Sequence, residues 1–365
     1  MDARVLSVLI CLALVPACRP TACRPITPST ASGADSDGHG QPEPVRAKTC
    51  AECHPLIAAE WSASRHGRST LALDPLYRHL YEQAMGHNPG HERGCRRCHY
   101  PASAAQGHPD DGVSCLGCHR LANDHPEPMP DGRIAALASD DRRALCLACH
   151  DTLARPDGLQ VCTTGPEAAQ AEGLDCAGCH MPMTPGPAHQ EDGAKQHRGH
   201  AFPGAFDPSF VAGCAKLSIE IQADRFRVRI EASPEKLGHA LPTGNPMRHV
   251  VLRLSAYDVK GKLIWTNLEA AAAFKDPQAV FMRLFHAGDG RAPVPPFLAA
   301  GLARDNRLQP GVPTEVEHPL PAGTSRLVAE LDLILGPAKL LSAAQVPPSW
   351  AAPRPITRAE VSLQR

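Results

Sequence analysis

Large rings are scarce in this chain. Aromatic residues make up 4% of 365, with three Trp, four Tyr and eight Phe. That is thin material for a conventional core at this size. Charge of one sign is also lacking. The 37 Lys and Arg nearly balance 38 Asp and Glu, for a formal net charge of −1. No basic field exists for nucleic acid. Long apolar runs are missing too. The run from Val5 to Val15 is too short to span a bilayer. What the chain has in quantity is proline (37), histidine (19) and cysteine (15).

Ten cysteines fall into five copies of one pattern. They are Cys50-Ala-Glu-Cys53-His54, Cys95-Arg-Arg-Cys98-His99, Cys115-Leu-Gly-Cys118-His119, Cys146-Leu-Ala-Cys149-His150 and Cys176-Ala-Gly-Cys179-His180. Cys-x-x-Cys-His is the attachment signal of c-type haem. Thiols at i and i+3 lie on one side of a helical turn. There they can bond the two vinyl groups of one porphyrin, and the next histidine can reach the iron. Five copies predict five covalent haems, with His54, His99, His119, His150 and His180 as proximal ligands. A zinc site would close with a second cysteine pair or a distant histidine pair and has no need of a histidine after each pair. Such regular pairs also suit a cofactor better than a disulfide scaffold. The haems resolve the shortage of aromatics, because each is a large flat apolar body to pack against. Each also carries two propionates, so the loaded protein is more acidic than the bare chain.

The ends of the chain have their own composition. Arg4, the apolar run and Pro16-Ala17-Cys18 read as a secretory leader over residues 1–17. Val15-Pro16-Ala17-Cys18 resembles a lipobox, which would make Cys18 an acylated anchor; ordinary cleavage and a free protein is the alternative. Either reading sends the protein out of the cytoplasm, to the periplasm or the outer membrane, where haem is also attached. Residues 18–47, rich in Pro, Ser, Thr and Gly, read as a disordered tether. Residues 48–213 hold all the motifs, about 33 residues for each, too few for a usual core. Short helices and irregular loops wrapped round a haem stack are expected there. Helices are predicted at 55–65, 75–85 and 140–147. From Cys214 onward the pattern alternates. Leu217, Ile219 and Ile221, then Phe226, Val228 and Ile230, predict a hairpin. Residues 248–257, 263–265, 314–320 and 326–335 read as further strands, and 258–262 as a turn. Together they predict a β-sandwich over 214–335. The proline-punctuated residues 336–365 read as a tail laid on the surface. The fold class expected is therefore a mainly α, irregular multihaem domain followed by an all-β domain.

Distal ligands do not follow from the motif. His66, just past a predicted helix, is the foremost candidate. A straight helix from His54 would carry it roughly 18 Å at 1.5 Å per residue, so it should serve a neighbouring haem. Cys50–His54 followed by Trp61…His66 resembles the first haem unit of multihaem cytochromes in the hydroxylamine-oxidoreductase superfamily, which includes the tetrahaem carrier of nitrification. Gly112-Val113-Ser114, Met181-Pro182, the segment from His197 to Gly204 and the segment from Gly238 to Gly244 with Arg248 fit the same resemblance. It implies distal ligands at His66, His200 and His239, with His197 as the alternative to His200. His79, His91 and His125 are lower choices. Five motifs depart from the four of the tetrahaem carrier. Met181 and Met183 read as packing residues. Cys162 and Cys214 are expected to form a disulfide in an oxidising compartment.

Closely spaced bis-histidine haems conduct electrons and leave no position open for substrate. The expected function is thus an electron relay between redox partners, such as other cytochromes or a quinol-linked complex. A β-domain that docks the partner is compatible with it. The alternative is a multihaem oxidoreductase acting on a small nitrogen or sulfur compound at one open iron. No motif replaces its final histidine with lysine, and Tyr257, in a predicted strand, is the only tyrosine after Tyr100.

Overall fold

The structure is a computed structural model, and it describes residues 47–101, 109–119, 139–170, 175–190, 193–268 and 276–363. The leader, nearly all of the tether, Cys18 and His125 lie outside the described residues. Among those residues, no helix is long and apolar enough to cross a membrane.

The motif-bearing half is built from short helices. α1 (Ala47–Ala51) carries Cys50, and α2 (Pro55–Ala63) starts directly after His54 with proline in its first turn, where proline's missing N–H goes unmissed. α3 (Pro75–His87) is capped by Asp74, whose carboxylate accepts the Tyr77 N–H at 3.0 Å. α4 (Glu92–His99), α5 (Cys115–His119), α6 (Ser139–His150) and α8 (Cys176–His180) each end on a motif histidine. α7 (Thr164–Ala168) lies between the last two. Two small ribbons stitch this half together, β1 (Thr152–Ala154) with β2 (Gln160–Thr163), and β3 (Met183–Pro185) with β4 (Gln196–Arg198). A last turn, α9 (Pro208–Val211), leads into the second half.

The second half is two antiparallel sheets over one core. β5 (Ala215–Gln222) and β6 (Arg225–Ala232) form the expected hairpin, from Ala215 opposite Ala232 to Gln222 opposite Arg225. β7 (His249–Tyr257) and β8 (Leu263–Thr266) form the second hairpin. Its turn is held by Asp258, whose carboxylate accepts the N–H groups of Lys260 and Lys262. β9 (Val280–Phe281) adds to β7, and β10 (Arg283–His286) pairs with β11 (Gly301–Asp305). β12 (Thr314–Pro319) pairs with β6, and β13 (Arg326–Ile334) with β7. The sheets read β12-β6-β5 and, with β14 (Arg354–Ser362) on its edge, β14-β13-β7-β8. Phe226, Val228 and Ile230 from one meet Leu252, Leu254, Leu331 and Leu333 from the other, all essentially inaccessible. On the outer face, Arg225, Arg227 and Arg229 pair with Glu315 and Glu317, as the period-two pattern requires.

Two expectations need correction. Residues 336–365 are not a surface tail. They form α10 (Ala338–Ala343), α11 (Pro348–Ala351) and β14 (Arg354–Ser362), and β14 pairs with β13 along its length. Ile356 is buried in the shared core, while Leu341, Ala344 and Trp350 pack on Leu76 and Leu80 of α3. The prolines sit only at the starts of these elements, where they cost no ladder bond. Cys162 and Cys214 are both free thiols. Cys162 lies beside Thr164 in the motif half, whereas Cys214 is buried in the core of the β-domain.

Candidate haem-binding site

Three motif histidines each face a second histidine across a similar gap. His150 faces His66, with ring centres 6.1 Å apart. His119 faces His200 at 6.5 Å, and His180 faces His239 at 6.3 Å. With metal–imidazole bonds of about 2.0 Å, two rings on opposite sides of one metal have centres about 6 Å apart. The residues therefore fit an iron held between each pair. They come from far apart in sequence. His66 follows α2, His200 follows β4, and His239 belongs to the loop between β6 and β7.

The rings are fixed from behind. Nδ1 of His54, His99, His180, His200 and His239 each meets a main-chain carbonyl, of Ala188, Ser69, Pro203, Arg198 and Ala240 respectively, at 2.6–3.1 Å. Donation from Nδ1 sets the tautomer and leaves Nε2 to bind metal. Burial pulls His66 down to about 4, helped by the charges of His150, His180 and His200. Burial likewise lowers His99, His119, His150, His200 and His239. All are held neutral near pH 7, the form that ligates metal. Nδ1 of His66 and of His119 are buried without a hydrogen-bond partner.

His197 is not arranged like His200. Its Nε2 meets Glu60 at 3.2 Å and its Nδ1 meets the Gly186 carbonyl at 2.9 Å, so both nitrogens are occupied. The other carboxylate oxygen of Glu60 accepts the His200 N–H at 2.7 Å. Glu60 thus sorts the two histidines, tying one down and aiming the other at His119. His79 meets Gln83, and His91 stacks near His87; neither faces a motif histidine.

The first and second motifs differ from the rest. His54 lies against His189, edge to face at 5.2 Å, about 1 Å closer than the other pairs. His189 carries no ligand signal in the sequence, since it sits in a Pro- and Gly-rich loop with no motif around it. His99 has Tyr77 stacked on its face at 3.6 Å. Among the described residues, no histidine ring stands opposite it.

The motifs touch in a definite order. Cys50 lies close enough to Cys115, Cys98 to Cys149 and Cys176 to Cys146 to push the second thiol of each pair up. Cys118 lies near enough to Cys146 and Cys149 to push both thiols up. The first motif thus adjoins the third, the third adjoins the fourth, and the second and fifth both adjoin the fourth.

Residues 49–120 match the family described as "Cytochrome c554 and c-prime". A penta-heme cytochrome c552 from Thermochromatium tepidum superposes with a TM-score of 0.69 at 24% identity, covering 88% of this chain and 99% of that one. The fold is that of a multihaem c-type cytochrome. No curated protein matches the sequence. The hypothetical protein PH1083 from Pyrococcus horikoshii OT3 reaches a TM-score of only 0.18 at 12% identity, which is no shared fold.

Proposed function

We propose that the protein is an exported pentahaem relay that passes electrons between redox proteins. One observation carries this reading: three motif histidines, His150, His119 and His180, each stand 6.1–6.5 Å from a second histidine. Bound haem would supply one-electron iron chemistry there. The chain's own part is to hold neutral imidazoles, fix their tautomers through carbonyls and keep water from the interior. In this reading His150 with His66, His119 with His200 and His180 with His239 would each hold one iron. The β-domain then supplies one ligand itself. The kinship with the hydroxylamine-oxidoreductase superfamily, the lipid anchor at Cys18, the periplasmic or outer-membrane location and the cytochrome or quinol-linked partners belong to the same proposal.

A second reading rests on His99. With Tyr77 on its face and no described histidine opposite, this motif is the place for an open iron and for chemistry on a small nitrogen or sulfur compound. The two readings separate by kinetics. A relay takes up electrons from a soluble reductant and passes them to an oxidised cytochrome, with no steady consumption of nitrite, hydroxylamine or tetrathionate. Steady turnover of any of these by pure holoprotein would overturn the relay as the main function.

A further inference from the structure

Three guanidinium groups converge on the ring of Phe206. Arg65 lies 4.3 Å from the ring centre, Arg354 5.7 Å and Arg248 5.8 Å. Trp350 closes the cluster edge-on, 4.8 Å from Phe206, and also stacks on Arg65. Among the described residues, only one carboxylate pairs with any of these three charges. Asp74 pairs with Arg65. Arg354, 3% exposed, donates to the carbonyls of Ser349, Trp350 and Ala352. Arg248 donates to the Thr243 carbonyl at 3.1 Å, and among the described residues no carboxylate pairs with it.

An excess of two interior positive charges is costly unless anions meet it. Burial lowers all three arginines, and Arg248 falls to about 10 under burial and the nearby Arg65. Arg65, which shares the Phe206 ring with Arg248, immediately precedes His66, whose ring stands 6.1 Å from that of His150. The loop is shaped for this. Gly244 has φ +78°, and a Cβ there would stand 3.0 Å from Arg248 Nη1. The motif of His150 is the attachment point of a group that carries two carboxylates.

We propose that Arg248 holds a propionate of the haem attached at Cys146 and Cys149, with Arg354 supplying the second unanswered positive charge. The guanidinium fork can donate to a carboxylate through two parallel N–H groups, which an ammonium cannot. The proposal rests on the reading that His66 and His150 bracket this haem.

The test uses the full holoprotein, with Arg248→Gln and Arg248→Lys, in redox titrations followed by visible absorption and electron paramagnetic resonance. The haem concerned is the one whose low-spin signal is lost in His66→Ala. Arg248→Gln should shift its reduction equilibrium about tenfold toward the ferric state, which is 59 mV for one electron. The other four haems should be unmoved. Arg248→Lys, which keeps the charge, should recover most of the shift. It also serves alone if the Gln variant fails to load haem, by showing a smaller shift of the same sign. Unchanged midpoints in both variants would overturn the proposal. So would a saturable shift of that midpoint when acetate is added to wild type, since the cluster would then face an exchangeable anion. If His66→Ala leaves every low-spin signal intact, the axial pairing fails instead.

Discussion

Glu167 joins the two halves of the molecule at the loop that carries His239. One carboxylate oxygen pairs with Arg307 at 2.8 Å and accepts from Thr163 Oγ1 at 2.6 Å. The other accepts the Ala240 N–H at 3.2 Å and Thr243 Oγ1 at 3.4 Å. The side chains of Arg307 and Glu167 are 7% and 14% exposed, so solvent does not screen the pair. Glu167→Ala should therefore be costly. Removing one partner of a buried pair costs about 3–5 kcal/mol. Arg307 keeps Asp305 at 2.8 Å, but Asp305 also faces Arg283 at 3.4 Å, so two cations would then share one anion. The low end, about 3 kcal/mol, follows. For a domain of this size that lowers Tm by roughly 6–12 °C. Thermal unfolding followed by far-ultraviolet circular dichroism reads the cost. Electron paramagnetic resonance reads the loop, because the haem of Cys176 and Cys179 should gain high-spin character as His239 loses its anchor. A Tm within 2 °C of wild type together with an unchanged spectrum would refute the role given to Glu167.

Other outcomes follow from the same contacts. Gly244→Ala forces an L side chain into the left-handed region and against Arg248, and should cost about 1–2 kcal/mol by denaturant unfolding. Cys162 and Cys214 should both be alkylated by iodoacetamide in the denatured protein without prior reduction, as mass spectrometry of tryptic peptides would read. Stability should fall in acid through Asp305. Burial raises its carboxyl, but Arg307 and Arg283 outweigh this and hold it below the ordinary value. Its contribution is thus complete above the unfolded carboxylate range, near pH 4, and is lost as pH falls through the lower folded value. Asp305→Asn should flatten that part of the pH–stability curve.

Much of the architecture is readable in the residues, and the exceptions have physical causes. β5 and β6 turn one face to the core, so alternation marks them, whereas β7 and β13 are buried along most of their length and read as apolar runs. β14 alternates too, at Ile356 and onward, but three nearby prolines mask it until its pairing with β13 is seen. The ribbons β1 to β4 are too short to carry a period. Their job is to hold loops, and the loops hold His189 and His200. His66, His200 and His239 could be singled out from local resemblance, and each stands opposite a motif histidine. Which of His197 and His200 faces iron depends on Glu60, 140 residues from His200, a relation that no local pattern holds. An oxidising compartment favours a bond between Cys162 and Cys214, but it says nothing about the distance between them, and both are free thiols.

The central claim is that His66, His200 and His239 complete the coordination begun by His150, His119 and His180. Low-temperature electron paramagnetic resonance on oxidised holoprotein, with haem content measured alongside, tests it most directly. Wild type should carry five haems, with low-spin signals from these three sites. His66→Ala, His200→Ala and His239→Ala should each remove a different low-spin signal and raise a high-spin one. Spectra unchanged in all three variants would contradict the account.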